Sequence, residues 1–305
     1  DYIQEALEDF SVDIHFIAGG TLTNLTFISH ILKPFEAVIS AETGHINTHE
    51  TGAIEATGHK VCPVLTKDGK LTPDLIRPVL DMHENEHWVD PRLVYVSNPT
   101  EVGTVYTKEE LEDLYAFCKR HDLYFYIDGA RLAAALAAKE ETHLTFPDLP
   151  KLCDAFYIGG TKVGAMFGEA LVLVNENFKE RFRFNMKQKG AILAKGWFLG
   201  VQFEELFKNN LYIEAGAHSI AMMKPIKEAF EKAGIPLLCE APTNQIFPIF
   251  PNALADEINK KYLTTFQCKP DKDHTCLRFC TSWATNENAV KDFVEDFEEM
   301  CNRLL

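Results

Sequence analysis

The sequence predicts an α/β protein: a large, mostly parallel sheet layered between helices, followed by a smaller α+β part. Three observations carry this. Short apolar strands alternate with helical segments through the first two-thirds of the chain. Polar and small residues gather where those strands end, at Ala18-Gly19-Gly20-Thr21, Ser97-Asn98-Pro99-Thr100 and Asp128-Gly129-Ala130-Arg131. Such clusters put a ligand crevice along the carboxyl edge of the sheet. Past Asn209 the alternation gives way to long helices and isolated strands, which divides the chain into domains 1–209 and 210–305.

Taken in order, residues 1–10 read as an amphipathic helix, and the chain opens without a methionine, so a preceding segment is expected. Ile14–Ile17 is a strand running through Ala18-Gly19-Gly20-Thr21 into a helix around 23–28. Glycine then threonine at a strand-to-helix junction makes a phosphate cradle, because free N–H groups and the positive helix end face the anion. It also makes an ordinary capped loop. Ala37–Ser40, Lys60–Val64, Arg92–Ser97 and Leu123–Ile127 are further strands. The segments 72–81 and 107–121 are helices, the second opening with the capping sequence Thr-Lys-Glu-Glu. In the last third, 197–209, 212–233, 253–261 and 286–304 read as helices, and 246–250 and 276–280 as strands.

Composition narrows the function. A net charge of −15 argues against nucleic acid and anionic membranes as partners. No apolar run approaches the roughly 20 residues of a membrane span. Eight cysteines without a CxxC pair read as reduced side chains of a cytoplasmic protein.

His45 and His49 lie one helical turn apart with Glu50 beside them, and His59 follows. That set could hold zinc in a hydrolase, although the order HExxH is absent. The better reading of His45 is a ring at the mouth of a strand, packed on something planar. His83 and His87 repeat the spacing in a charged, exposed segment.

The stretch Phe156–Ala165 is more telling: an apolar strand enters a glycine-rich turn containing Lys162, and a second apolar strand, 170–174, follows. A desolvated lysine there has a lowered pKa and a nucleophilic amine suited to Schiff-base chemistry; the alternative is a lysine snorkelling to solvent. Asp128 closes an apolar strand and needs a partner. It could cap the helix 131–137 or pair with a protonated ring nitrogen. Arg131 could balance Asp128 or offer its fork to a substrate carboxylate.

Together these residues resemble the low-specificity threonine aldolase and β-eliminating lyase family. The resemblance runs through Gly20-Thr21-Leu22-Thr23-Asn24, Gly44-His45, Glu50-Thr51-Gly52-Ala53, Ser97 to Tyr106, Asp128-Gly129-Ala130-Arg131-Leu132, Thr161-Lys162-Val163-Gly164, Thr243–Phe247 and Leu277-Arg278-Phe279, nearly the whole chain. It implies the aspartate-aminotransferase-like fold (fold type I) with pyridoxal 5'-phosphate as cofactor. It also implies a lyase cleaving the Cα–Cβ bond of a β-hydroxy-α-amino acid to glycine and an aldehyde. Lys162 would carry the cofactor as a Schiff base, Asp128 would hold its ring nitrogen protonated, and His45 would stack on the ring and exchange a proton with the substrate hydroxyl. Gly20, Thr21 and Thr161 would hold the phosphate. Arg131 and Arg278 would clamp the substrate carboxylate, and no metal is implied. Family members build their sites across subunit interfaces, so a homodimer or homotetramer is expected. Two departures stand out. Thr100 and Glu101 replace a histidine near the substrate side chain, as in phenylserine-aldolase-like relatives. Lys189 and Lys195 lie in a segment, 187–196, where the family has a glycine-rich loop; either could reach the phosphate or merely charge the surface. β-Elimination or transamination on the same cofactor are the rival reactions.

Overall fold

The structure is a computed structural model that describes residues 1–304. Seven strands form the large sheet: β1 (Asp13–Ile17), β2 (Glu36–Ala41), β3 (Val61–Val64), β4 (Asp90–Ser97), β5 (Tyr124–Asp128), β6 (Ala155–Gly159) and β7 (Glu169–Leu173). Their order is β1-β7-β6-β5-β4-β2-β3. Strands β3, β2, β4, β5 and β6 pair in parallel, while β7 runs antiparallel between β6 and β1.

The central strands are largely apolar because both faces are covered. Val94, Val96, Phe125, Ile127, Phe156 and Ile158 point into one core. Their neighbours Tyr95, Tyr126 and Tyr157 point into the other, where Phe27 and Ile28 of α1 (Gly20–Ile31) meet them. Alternation along each strand thus lines up three tyrosines on adjacent strands, their hydroxyls near the carboxyl edge.

Helix Lys108–Arg120 forms as its capping sequence requires: Glu110 N donates to Thr107 Oγ1 at 3.2 Å, and Thr107 N donates back to Glu110 Oε2 at 2.9 Å. Asp128 does not cap the helix that follows it. That helix, α2 (Leu132–Ala137), starts from Arg131 without a side-chain bond, and Asp128 Oδ1 instead accepts from Ala130 N at 3.0 Å.

In the last third, α3 (Trp197–Phe207) leads to α4 (Leu211–Lys232), and a four-stranded antiparallel sheet follows. The single strand expected over 246–250 is two, β8 (Gln245–Ile246) and β9 (Ile249–Pro251), both paired with β11 (His274–Cys280). Pro248 lies at the break, lacking the N–H a continuous ladder needs. The additional strand β10 (Thr265–Cys268) pairs with β11 and is largely exposed, so no apolar alternation marks it in the sequence. Phe230, Phe250, Phe293 and Phe297 centre a separate core between this sheet and the helices Leu211–Lys232 and Glu287–Leu304.

Candidate active site

The carboxyl ends of β1, β4, β5 and β6 surround a cavity of about 290 Å³ lined by Gly19, Gly20, Thr21, His45, Thr100, Asp128, Arg131, Thr161 and Lys162, among others. Its size sits at the lower end of small-ligand pockets, about 300 Å³. A larger cleft of about 700 Å³ lies elsewhere, between the N-terminal helix, β1 and α3, and holds none of these groups.

Lys162 is not packed between the two core strands. Strand β6 ends at Gly159, and the turn lifts the lysine out of the sheet so that its side chain is exposed in the cavity. Surrounding protein still removes enough water to lower its pKa, and the Arg131 guanidinium lowers it further; Asp128 and Glu169 oppose both.

Asp128 is buried, and three donors hold it. Tyr95 donates to Oδ2 at 2.6 Å, Asn24 Nδ2 to the same oxygen at 3.1 Å, and Ala130 N to Oδ1. A carboxylate accepts about four hydrogen bonds, so Oδ1 retains room for one donor from the cavity. Asn24 sits on α1 with no exposed surface and is saturated: Tyr126 donates to its Oδ1 at 3.0 Å, and its second amide hydrogen goes to Glu50 Oε1 at 2.8 Å. The same Glu50 oxygen binds His45 Nδ1 at 2.7 Å. This bond raises the His45 pKa above its usual value, against desolvation, with Asp128 assisting.

A second line of contacts runs from Tyr95 to His45. Tyr95 Oη lies 3.2 Å from Ser97 Oγ, Ser97 donates to Glu101 Oε1 at 2.5 Å, and His45 N donates to that oxygen at 2.9 Å. Burial pushes the Glu101 carboxyl above its ordinary range.

The glycine turn opens onto the cavity. Helix α1 begins at Gly20 with Gly19 as its cap residue, and Thr21 lines the cavity beside them. A Cβ on Gly20 would stand 3.1 Å from the Tyr157 hydroxyl, so the glycine keeps that phenol against the first helical turn. Two other glycines lock the turns carrying the chemistry. Gly159 N donates to Gly129 O at 3.0 Å; a Cβ on Gly129 would lie 2.0 Å from Tyr157 O, and one on Gly159 would lie 2.5 Å from Ala130 O.

The remaining expected residues are placed unevenly. Arg131 lines the cavity but forms no pair with Asp128; Nη2 reaches Cys280 Sγ at 3.9 Å, and no carboxylate pairs with it among the described residues. Arg278 lies outside the wall, on β11, with Nη2 at 3.4 Å from Thr265 Oγ1 and a buried Nε lacking a partner. It is close enough to lower the His49 pKa. Lys195 is exposed, Lys189 half-buried, and neither borders the cavity. The histidines do not build a metal site: His45 and His49 stack with centroids 5.4 Å apart and planes 17° apart, and His49 Nδ1 is taken by Thr48. His59 Nδ1 faces Glu36 O, and no cluster of three metal-ligating side chains occurs among the described residues. Sequence reasoning missed Asn24, Tyr95, Tyr126, Tyr157 and Glu169, and it took Glu50 for a neighbour of metal ligands.

The cavity fits pyridoxal phosphate by its donor set: an amine with lowered pKa, a carboxylate with one acceptor position open, and an anion cradle. With a parallel sheet beneath it, this arrangement defines a pyridoxal-phosphate enzyme of fold type I. The family model described as beta-eliminating lyase matches residues 3–250. A low specificity L-threonine aldolase from Pseudomonas sp. (strain NCIMB 10558) is 30% identical over 295 residues, covering 93% of this chain and 82% of that protein. The solved Leishmania major threonine aldolase superposes with a TM-score of 0.96 at 49% identity, over 98% of this chain and 87% of that one. A histidinol-phosphate aminotransferase from Clostridium acetobutylicum, 14% identical with a TM-score of 0.75, covering 99% of this chain and 88% of its own, shares the fold. The chain belongs to the β-eliminating lyase family, within its threonine aldolases, and is a pyridoxal-phosphate-dependent aldehyde-lyase.

Proposed function

We propose that this enzyme cleaves β-hydroxy-α-amino acids of the threonine, allo-threonine and phenylserine type to glycine and an aldehyde, with Lys162, Asp128 and His45 as its catalytic residues. The observation that carries the assignment of roles is their convergence on one cavity, with His45 and Asp128 joined through Glu50 and Asn24. When bound, pyridoxal phosphate supplies an electron-withdrawing ring that eases heterolysis of bonds at the amino-acid Cα.

The chain's own groups do the rest. Lys162 is the attachment point, its lowered pKa leaving more neutral amine at working pH. Asp128, with one acceptor position left on Oδ1, would hold the proton on the pyridine nitrogen. Glu50 fixes the Nδ1 proton of His45, so Nε2 is left to take the proton of the β-hydroxyl as the aldehyde forms. Gly20, Thr21 and Thr161 would hold the phosphate. Arg131, on the cavity wall without a carboxylate partner, would receive the substrate carboxylate, while the expected second clamp, Arg278, lies outside that wall on β11. Thr100 lines the cavity where the substrate side chain would lie, with Glu101 beside it.

A homo-oligomer fits the surface. Trp197 and Val201 on α3 are 66% and 51% exposed, with Met166 nearby at 78%. Gln202 of α3 accepts from Met166 N, and Phe198 stacks near Phe167, a wall residue of the cavity. A partner covering this face would complete the site. No helix among the described residues is long and apolar enough to cross a membrane, and the eight free cysteines fit a cytoplasmic setting.

The test is an absorption spectrum of the purified enzyme beside Lys162→Ala, followed by glycine formation from L-threonine, L-allo-threonine and phenylserine. A band at roughly 410–430 nm that reacts with borohydride and is lost in the variant is expected. A colourless protein that binds no pyridoxal phosphate, or a variant as active as the wild type, would refute the assignment.

A further inference from the structure

Glu169 is a buried carboxyl in the cavity wall that none of the roles above employs. It opens β7, and its register partners are Ile17 on β1 and Gly159 on β6. Ile17 leads directly into Ala18-Gly19-Gly20, and Gly159 directly into Gly160-Thr161-Lys162. The carboxyl therefore stands between the anion cradle and the lysine turn. Both of its oxygens are engaged by that turn: Gly160 N donates to Oε2 at 2.9 Å, and the Thr161 hydroxyl donates to Oε1 at 2.9 Å. Thr161 Oγ1 in turn accepts from Gly168 N at 3.1 Å.

This arrangement conflicts with a simple role for Thr161. A hydroxyl has one hydrogen, and Thr161 spends it on Glu169, leaving none for a phosphate. An ionised Glu169 beside the cradle also repels a phosphate dianion. One proton resolves both problems. Protonated Glu169 would donate to Thr161 Oγ1, whose two lone pairs then serve Glu169 and Gly168 N, and the threonine hydrogen becomes free to turn to the anion.

We propose that Glu169 is a positioning residue that couples phosphate binding to uptake of one proton, switching Thr161 from a donor to Glu169 into a donor to the phosphate. The inference rests on the reading that Thr161 and the glycine turn hold the cofactor phosphate. Burial already pushes the Glu169 carboxyl up to about 7, so the proton is available near neutral pH. The groups facing it are Lys162, which favours the ionised form, and Asp128, which disfavours it; the buried phenols Tyr126, Tyr157 and Tyr212 stay neutral.

The experiment is titration calorimetry of cofactor-stripped enzyme with pyridoxal phosphate at pH 8, in two buffers of different protonation enthalpy, with pyridoxal as the phosphate-free control. Wild type is expected to take up about one proton more than Glu169→Gln with pyridoxal phosphate, and the same number with pyridoxal. Ionised Glu169 above pH 7 also makes wild-type affinity fall up to about tenfold per pH unit relative to Glu169→Gln. Thr161→Val, which removes the donor and leaves only the charge repulsion from Glu169, is expected to take up fewer protons than wild type, and it keeps the test alive should Glu169→Gln misfold. Equal proton uptake by wild type and both variants would overturn the inference. Failure of wild type to bind pyridoxal phosphate at all would instead overturn the cofactor assignment beneath it.

Discussion

Replacing Asn24 by alanine tests whether the hydrogen-bonded circuit supports the site. Asn24 gives one amide hydrogen to Glu50, the other to Asp128, and accepts from Tyr126, all without solvent contact. Bonds to charged groups are worth about 1.5–3 kcal/mol each, and an orphaned buried hydroxyl costs about 1–3 kcal/mol. The low ends apply, because Glu50 keeps His45 and Asp128 keeps Tyr95 and Ala130 N. They amount to about 4 kcal/mol, a large part of the 5–15 kcal/mol of a typical protein, so the variant folds but melts early. For a chain of this length about 2 °C per kcal/mol gives a Tm lower by about 8 °C in the cofactor-stripped enzyme, read by circular dichroism. Adding Tyr126→Phe removes the orphaned hydroxyl, so the double variant is expected to recover about 1 kcal/mol over the sum of the single effects. A Tm within about 2 °C of wild type, or strict additivity in the double variant, would refute the circuit as a support.

Two further outcomes follow from the same geometry. Glu50→Gln removes the charge that raises the His45 pKa, so the ring should titrate at lower pH, nearer its ordinary 6.5; an unmoved imidazole titration by NMR counts against Glu50 as the cause. In stability terms this His45 contribution is fully present below pH 6.5 and fades as pH rises through the raised folded value. His15 works with the opposite sign: burial drives its pKa down to about 4, and its Nε2 is buried without a partner. Wild type therefore loses stability as pH falls from 6.5 toward 4, and His15→Phe should flatten that acid limb in denaturant titrations; an unchanged slope would exclude His15 as its source.

Lys162 and Asp128 were legible because each sits where a strand meets its own turn, a relation carried by neighbouring residues. The supporting shell was not. Asn24 reads as an ordinary helix position, and only the parallel pairing of β4 and β5 brings Tyr95 and Tyr126 over it. Glu50 looked like part of a metal cluster because spacing gives no ring orientation, and the stacked His45 and His49 differ from a ligand pair only in that respect. Glu169 opens a strand read as purely apolar, and its role depends on register with β1 and β6. Whether Lys162 is desolvated or reaches solvent was left open by the sequence, because chain proximity to two core strands does not say which way the turn lifts the side chain.

The contact between Gly129 and Gly159 divides the cavity into a fixed half and an adjustable half. Main-chain atoms meet there with no side chain between them, so the offset between the Asp128 turn and the Lys162 turn is set chiefly by backbone packing. Directed evolution toward new aldehydes would therefore find its useful variation across the cavity, at Thr100, whose hydroxyl meets only Thr104. There a side chain shapes the wall, and changing it leaves the main-chain contact between the two turns in place.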